Sequence, residues 1–112
     1  MSTISTHVLD LTRGRPAEGV PVALEKQEGK DWRALSIGKT NADGRLKELV
    51  PGGHPLAPGV YRLSFDTAVY FEAHEQSGFY PLVQVVFEIG AAQHYHVPLL
   101  LSPFGYSTYR GS

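Results

Sequence analysis

The 112-residue sequence contains no cysteine and only one methionine and one tryptophan. The lack of cysteine excludes a disulfide framework and thiol-based catalysis. No apolar run is long enough to cross a membrane. The first residues, MSTISTHVLDL, lack the basic start and the apolar core of a signal peptide. We therefore expect a cytoplasmic protein.

Charge is also sparse, since Asp, Glu, Lys and Arg make up 19% of the residues and the net charge is -1. Without a basic patch the chain has no field to attract nucleic acid or an anionic membrane, and we expect neither as a partner. The sequence has no Gly-x-Ser-x-Gly elbow and no phosphate-binding glycine loop, so neither a serine hydrolase nor a nucleotide-binding protein is indicated. The length predicts one domain spanning residues 1–112.

Short alternating segments separated by Gly and Pro are what the sequence does contain. In residues 20–27, VPVALEKQ, the side chains of Val20, Val22 and Leu24 share one face, which is typical of a strand. Similar patterns predict further strands, and these cover residues 5–11, 32–40, 60–66, 80–90 and 94–101. We predict an all-β fold, a two-sheet antiparallel β-sandwich.

Three segments do not follow the strand pattern. Asp43-Gly44 predicts a tight turn, because glycine accepts a positive φ without steric cost. Residues 50–59 contain three prolines and three glycines and are expected to form a loop. Residues 66–78 predict the one short helix of the sandwich, capped by Asp66 or Thr67 and ended by Gly78.

Five histidines are the candidate chemical groups, and two of them form a pair. We interpret His54, within the loop, and His74, on the helix, as surface residues without a role. His94 and His96 are two residues apart on a predicted strand, so their rings lie on one face. They can be solvent-facing polar residues, zinc ligands together with a third histidine, or a metal-free general base for water. The last interpretation needs a nearby arginine, which lowers a histidine pKa and stabilises an oxyanion. The residues alone leave these alternatives open.

Four stretches together resemble a known family. They are HVLDLTRGRPA (7–17), GKTNADGRL (38–46), FYPLVQVVFEI (79–89) and HYHVPLLLSPFGYSTYRGS (94–112). In order and spacing they are similar to the transthyretin-related proteins that act as 5-hydroxyisourate hydrolases in urate breakdown. The stretch Tyr-Arg-Gly-Ser at 109–112 is the most specific of these motifs. The resemblance implies that this tail enters the active site.

The resemblance also implies an assembly, a reaction and a set of site residues. The family sandwich forms dimers that pair into a homotetramer, with active sites in a channel at the dimer–dimer interface. The implied reaction converts 5-hydroxyisourate to 2-oxo-4-hydroxy-4-carboxy-5-ureidoimidazoline without a metal or an organic cofactor. The implied catalytic residues are His7, Arg45 and His96. Substrate binding is assigned to His7, Arg45, Tyr109, Arg110, Gly111 and Ser112. The role of His94 stays open.

Each implied residue has an expected task. His96, with His7, is expected to orient and deprotonate the water. Arg45 is expected to pair with the flat anionic substrate and to stabilise the oxyanion, because a guanidinium is planar and permanently charged. Tyr109 and Ser112, which would bring a carboxylate, are expected to close the pocket.

Three other functions compete with this hypothesis. Transthyretin carries hormone on the same scaffold, but it lacks the enzyme residues at the positions of His7, Arg45, His96 and the tail. A β-sandwich that serves only as an interaction module is the second alternative. A zinc hydrolase is the third, and it predicts activity that a chelator removes.

Overall fold

The computed structural model describes residues 3–47, 49–50 and 56–111, which contain nine strands and one helix. The strands are β1 (Thr3–Asp10), β2 (Arg15–Pro16), β3 (Pro21–Glu28), β4 (Asp31–Lys39), β5 (Arg45–Leu46), β6 (Gly59–Phe65), β7 (Val83–Ile89), β8 (His94–Ser102) and β9 (Gly105–Thr108). The helix α1 (Thr67–Ala73) connects β6 to β7.

The strands form two sheets that share one hydrophobic core. One sheet has the order β2-β1-β8-β9, with β5 also pairing with β1, and the other has the order β4-β3-β6-β7. The predicted inner face of β3 is confirmed, because Val20, Val22 and Leu24 are buried. Tyr61, Leu63 and Phe65 of β6 and Ile4, Val8, Leu99 and Leu101 of the first sheet join the same cluster. The predicted two-sheet sandwich with one short helix is thereby confirmed.

One pairing departs from the predicted antiparallel arrangement. β1 and β8 run parallel over their whole length, from Thr3 opposite His94 to Asp10 opposite Leu101. The other strand pairings in the described part of the chain are antiparallel. Parallel neighbours need a long crossover rather than a hairpin, and here the crossover is the entire second sheet with its helix. No local sequence pattern reports such a pairing.

Side-chain alternation gives the β1–β8 pair two different faces. Residues Ile4, Thr6, Val8 and Asp10 of β1 are buried, as are Tyr95, Val97, Leu99 and Leu101 of β8. Because successive side chains of a strand point to opposite sides, the intervening residues lie on the other side of the sheet. We call this side the outer face, and it carries Thr3, Ser5, His7, His94 and His96.

The helix begins as predicted and ends earlier than predicted. The Asp66 carboxylate caps it by accepting the Val69 N–H at 3.2 Å. The predicted end at Gly78 is wrong, because the chain leaves the helix after Ala73 and Glu75 takes a φ of 54°. The buried carboxylate of Asp10 accepts the Tyr70 hydroxyl at 2.6 Å, which fastens the helix to β1.

The segment between helix and β7 also differs from the prediction. β7 begins at Val83 rather than Tyr80. The carbonyl of Tyr80 accepts the Thr67 hydroxyl at 2.5 Å and that of Pro81 accepts the Ala68 N–H at 3.1 Å. These two residues therefore hold the start of the helix instead of extending the strand.

The loop predicted for residues 50–59 lies partly outside the described residues, since 51–55 are not described, and His54 is among them. Of the helical segments in the described ranges, none has the length and apolar character needed to cross a membrane.

Candidate active site

The Asp43-Gly44 turn positions Arg45 in the first sheet. The Asn41 side-chain oxygen accepts the N–H groups of Asp43 at 2.9 Å and Arg45 at 3.0 Å. Gly44 has a φ of 74°, and a Cβ there would lie 2.4 Å from the Val8 carbonyl oxygen. Only glycine fits this close contact. The Gly44 carbonyl accepts the Val8 N–H at 2.7 Å, so the turn is docked on β1 and β5 starts at Arg45.

His7 lies next to this arginine on the outer face. It is half-buried and is the register partner of Arg45 on β5 and of Pro98 on β8. Burial, followed by the positive charge of Arg45, lowers the pKa of His7 below the ordinary histidine value. A hydrogen bond to the backbone of Asp43 and the charge of that residue oppose the shift. The neutral imidazole is therefore favoured.

His96 is the second half-buried histidine of the outer face. Its Nδ1 lies 2.8 Å from the Ser5 hydroxyl on the neighbouring strand. Burial lowers the pKa of His96 most, and the charges of Arg45, His7 and His94 lower it further, while a hydrogen bond to the backbone of Ser5 opposes them. A general base must be unprotonated at the working pH. The lowered pKa values of His7 and His96 beside the same guanidinium favour this state.

Two hydroxyl groups connect the paired histidines, and sequence reasoning missed both. Ser5 Oγ lies 2.8 Å from His94 Nε2 as well as from His96 Nδ1, and Thr3 Oγ1 lies 2.6 Å from His94 Nδ1. The two rings are 6.5 Å apart and nearly parallel. The available signal was the alternation of Thr3, Ser5 and His7 in β1. It could not be used without knowing that β1 pairs with β8.

The tail after β9 packs against His96. β9 pairs with β8 in a register that sets Thr108 opposite Leu99, and the same register continues to Gly111 opposite His96. The Gly111 N–H donates to the His96 carbonyl at 2.8 Å. A Cβ on Gly111 would lie 2.5 Å from the His96 Cδ2 atom. Glycine at this position lets the tail lie directly on the imidazole.

The strand registers arrange the site as two rows across the outer face. Each row contains residues of several strands that stand opposite one another. The first row contains Arg45, His7 and Pro98, and the second contains Ser5, His96 and Gly111. The structure thus brings together four of the predicted site residues, His7, Arg45, His96 and Gly111, although they come from four separate parts of the chain.

Arg110 lies over the ring of Tyr95, a residue of β8. Its guanidinium carbon is 5.1 Å from the centre of the Tyr95 ring, which faces the core. Both residues line a cavity of about 230 Å³ between β7 and β8, together with Phe87, Val97, His96 and Tyr109. Arg110 therefore shares this cavity with two other predicted site residues, and its contact with the substrate stays a prediction. Ser112 lies outside the described residues.

The remaining histidine interpretations can be compared with the geometry. Over residues 3–47, 49–50 and 56–111, no three His, Asp or Glu side chains are placed to hold a metal ion. Both ring nitrogens of His94 are within hydrogen-bond distance of hydroxyls. His74 is exposed at the helix end, where Arg13 donates to its Nδ1 at 2.7 Å. It is not part of the outer-face site.

Comparison with known proteins agrees with this geometry. Residues 4–111 match the model of the HIUase/Transthyretin family. A 5-hydroxyisourate hydrolase from Salmonella dublin is 49% identical over 110 residues, which cover 97% of this chain and 80% of that protein. The structure of Klebsiella pneumoniae 5-hydroxyisourate hydrolase is 42% identical, with a TM-score of 0.88 and full coverage of both chains. Sea bream transthyretin in complex with thyroxine is 30% identical with a TM-score of 0.90, covering 97% of this chain and 94% of its own. This chain belongs to the HIUase/Transthyretin family.

Proposed function

We propose that this protein hydrolyses 5-hydroxyisourate to 2-oxo-4-hydroxy-4-carboxy-5-ureidoimidazoline in urate degradation. The observation that carries the proposal is the convergence of His7, Arg45 and His96 on one sheet face, with the tail packed on His96. The identity of 49% to a 5-hydroxyisourate hydrolase supports it. A single domain over residues 1–112 and a cytoplasmic location stay predictions from the sequence.

Water activation is assigned to His96, assisted by His7. Because the Nδ1 of His96 is engaged with Ser5, its Nε2 is the nitrogen available to a water molecule. The water proton passes to Nε2 as the water oxygen adds to an amide carbonyl of the six-membered ring. The ring C–N bond then breaks, and the leaving nitrogen takes up a proton. A positioned base of this kind contributes about 10²–10⁴-fold.

Arg45 has two roles, one toward the substrate and one toward the histidine base. Its guanidinium is exposed at the start of β5, where a flat anionic ring can form two parallel hydrogen bonds with it. The same charge stabilises the oxyanion that forms when water adds. It also lowers the pKa of both histidines and so keeps the base unprotonated.

The tail is assigned to closing the pocket. Tyr109 is 57% exposed and lines the same cavity as His96, where it is placed to cover a bound substrate. Arg110 anchors the tail, because a guanidinium over the face of Tyr95 is an attractive contact. Substrate contact by Arg110 itself stays a prediction. Substrate binding by Ser112 stays a prediction.

A small-molecule carrier is the second candidate, and the similarity to thyroxine-bound sea bream transthyretin favours it. A carrier needs a cavity of matching shape, but it has no need for two neutral histidines beside a guanidinium. The carrier hypothesis therefore predicts binding without turnover.

The decisive assay generates 5-hydroxyisourate from urate with urate oxidase and follows its ultraviolet decay. We expect this protein to accelerate the decay far above the spontaneous rate, and to do so equally after treatment with EDTA. A His96→Ala variant, matched in fold by circular dichroism, is the control for unspecific acceleration. Decay at the spontaneous rate would favour the carrier, and activity lost with EDTA would favour a zinc hydrolase.

We further propose a homotetramer formed as a dimer of dimers. β7 and β9 are edge strands of their sheets, and unpaired strand edges readily pair with another chain. Exposed apolar side chains accompany these edges: Phe79, Tyr80, Leu82, Phe104 and Tyr106. The ring of Tyr80 lies 5.0 Å from that of Phe79 and 5.2 Å from that of Tyr106, both edge to face, so these three rings are in contact. Apolar clusters of this kind mark association surfaces.

Light scattering coupled to size exclusion is expected to give four times the chain mass for the wild type. Phe79→Ser is expected to shift the protein toward smaller species, because Phe79 is 69% exposed within the apolar cluster. Ile37→Ser is the matched control, since Ile37 is 81% exposed on β4 at the opposite sheet edge. A wild-type monomer with full activity contradicts the tetramer.

A further inference from the structure

The outer face carries an unbroken line of hydrogen-bonding groups that extends beyond the residues needed for water activation. It runs from His96 through the Ser5 hydroxyl to His94 and on to the Thr3 hydroxyl, with spacings of 2.8, 2.8 and 2.6 Å. Parallel pairing produces this line, because it sets Ser5 opposite His96 and Thr3 opposite His94. Each imidazole thus has a hydroxyl directly across the strand boundary.

The groups along this line differ in burial. His96 is half-buried, Ser5 is 8% exposed, and both His94 and Thr3 are exposed. The line therefore connects the base within the site to the solvent-facing end of the two strands. Burying a hydroxyl between two ring nitrogens costs free energy unless it is hydrogen-bonded on both sides. The Ser5 hydroxyl has a partner on each side.

The number of protons on Ser5, His94 and His96 allows two hydrogen-bonding arrangements along this line. A serine hydroxyl has one proton, so Ser5 donates to one ring nitrogen and accepts from the other. If it donates to His94 Nε2, then His96 carries its proton on Nδ1 and its Nε2 is bare. If it donates to His96 Nδ1, then the proton of neutral His96 is on Nε2. Only the first arrangement leaves His96 ready to accept a proton from water.

We propose that Ser5, His94 and Thr3 form a proton relay that holds His96 in its base-competent tautomer and conducts the proton it accepts toward solvent. This inference rests on the proposed function, because it deepens the role of His96. Ser5 and His94 are positioning residues in this scheme, since neither needs to touch the substrate.

The relay is a series of single proton transfers, in which each group that gains a proton also gives one up. Water gives a proton to His96 Nε2, and the Nδ1 proton of His96 moves to Ser5 Oγ. The hydroxyl proton of Ser5 passes to His94 Nε2, and the Nδ1 proton of His94 passes through the Thr3 hydroxyl to solvent water. The reverse sequence restores the starting tautomer. The positive charge is thus moved away from Arg45 and His7, the cationic and titratable neighbours of His96, and toward the exposed His94.

The first test reads the tautomers without requiring turnover. Nitrogen-15 NMR of histidine-labelled protein, assigned with single histidine variants, reports which ring nitrogen carries the proton. We expect wild-type His96 to be protonated on Nδ1 with a bare Nε2, and Ser5→Ala to give a mixture of tautomers. The opposite tautomer in the wild type, or no change in Ser5→Ala, overturns the relay whether or not the protein is a hydrolase.

The second test separates positioning from folding by kinetics. Ser5→Ala is expected to lower kcat on 5-hydroxyisourate by about 10- to 100-fold with little change in KM, a part of the whole contribution of a general base. His94→Ala leaves the Ser5 contact in place and is expected to cost less, and Ser5→Thr keeps the hydroxyl and is expected to recover most of the activity. Ser102→Ala removes a hydroxyl of β8 that donates to the Gly105 carbonyl far along the strand, and it is the matched control.

The outcomes of the two tests are distinguishable. An inactive wild type contradicts the proposed function, while the tautomer measurement still decides the relay. An active wild type with an equally active Ser5→Ala variant overturns the relay alone. If Ser5→Ala does not fold, the wild-type tautomer together with the activities of Ser5→Thr and His94→Ala decides: unchanged activity in His94→Ala overturns proton conduction.

Discussion

Arg45→Ala is expected to reduce kcat/KM on 5-hydroxyisourate by about 10³-fold, comparable to removing a main oxyanion donor. The fold is expected to stay intact, because Arg45 is exposed and its backbone is held by Asn41. Arg45→Lys is not expected to restore activity, since an ammonium cannot form two parallel hydrogen bonds to a flat anion. Steady-state kinetics and circular dichroism measure both effects.

The pH dependence gives this prediction a second, independent readout. A general base works only when unprotonated, so activity falls as the pH drops through its pKa. Burial and Arg45 hold the pKa of His7 and His96 below the ordinary value of about 6.5. The acid limb of kcat/KM is therefore expected below that pH in the wild type. Without Arg45 one cause of the lowering is gone, and the limb is expected to move to higher pH.

Controls for Arg45 come from elsewhere in the chain. Arg33→Ala removes an exposed arginine that pairs with Glu28 on the β3–β4 hairpin, and it is expected to leave rate and pH limb unchanged. His96→Ala is expected to lose as much activity as Arg45→Ala, and with it the pH limb of the base. Near-full activity of Arg45→Ala would contradict its role at the oxyanion.

Removing residues 109–112 is expected to abolish catalysis and leave the protein folded. In the described part of this segment, the backbone contact to the sheet is the Gly111 N–H to the His96 carbonyl, and Arg110 rests on the Tyr95 ring. The core clusters contain none of these tail residues, so little stability is at stake. Without the tail, the substrate loses the cover of Tyr109 and His96 loses the neighbour that confines its ring.

A single methyl group tests the same contact more finely. Gly111→Ala would place a Cβ 2.5 Å from His96 Cδ2, so either the ring or the tail must move. A loss of activity close to that of the truncation is expected. Gly90→Ala is the matched control, because a Cβ there meets nothing within 4 Å. If the truncated protein is folded and still fast, the tail has no part in the site.

Much of this fold follows from local chemistry and is visible in the sequence. The alternation of Val20, Val22 and Leu24 predicted a half-buried strand because a pleated backbone puts every second side chain inside. The Asp43-Gly44 turn was predictable because few residues accept a positive φ. The site residues were predictable only through resemblance, since nothing local connects His7, Arg45 and His96.

The errors share one physical origin, which is dependence on distant contacts. The parallel pairing of β1 with β8 joins Ser5 to His96 across 91 residues, and no periodicity encodes a partner at that separation. Because this pairing was not predicted, the role of Ser5 was not predicted either. The early end of the helix is accompanied by a positive φ at Glu75, and the residue type does not predict this φ.

The parallel neighbourhood of β1 and β8 also has a consequence for synthesis on the ribosome. The first strand emerges early, but its partner β8 follows only after β3, β4, β6, α1 and β7 have been made. Until then β1 has an open strand edge, which is the kind of surface that recruits other nascent chains. The second sheet can form on its own by antiparallel neighbours, whereas the histidine-bearing sheet requires a contact of very high sequence separation. The catalytic face therefore forms last in folding. A chain released from a ribosome that stalled before β8 would be a half-sandwich without this face.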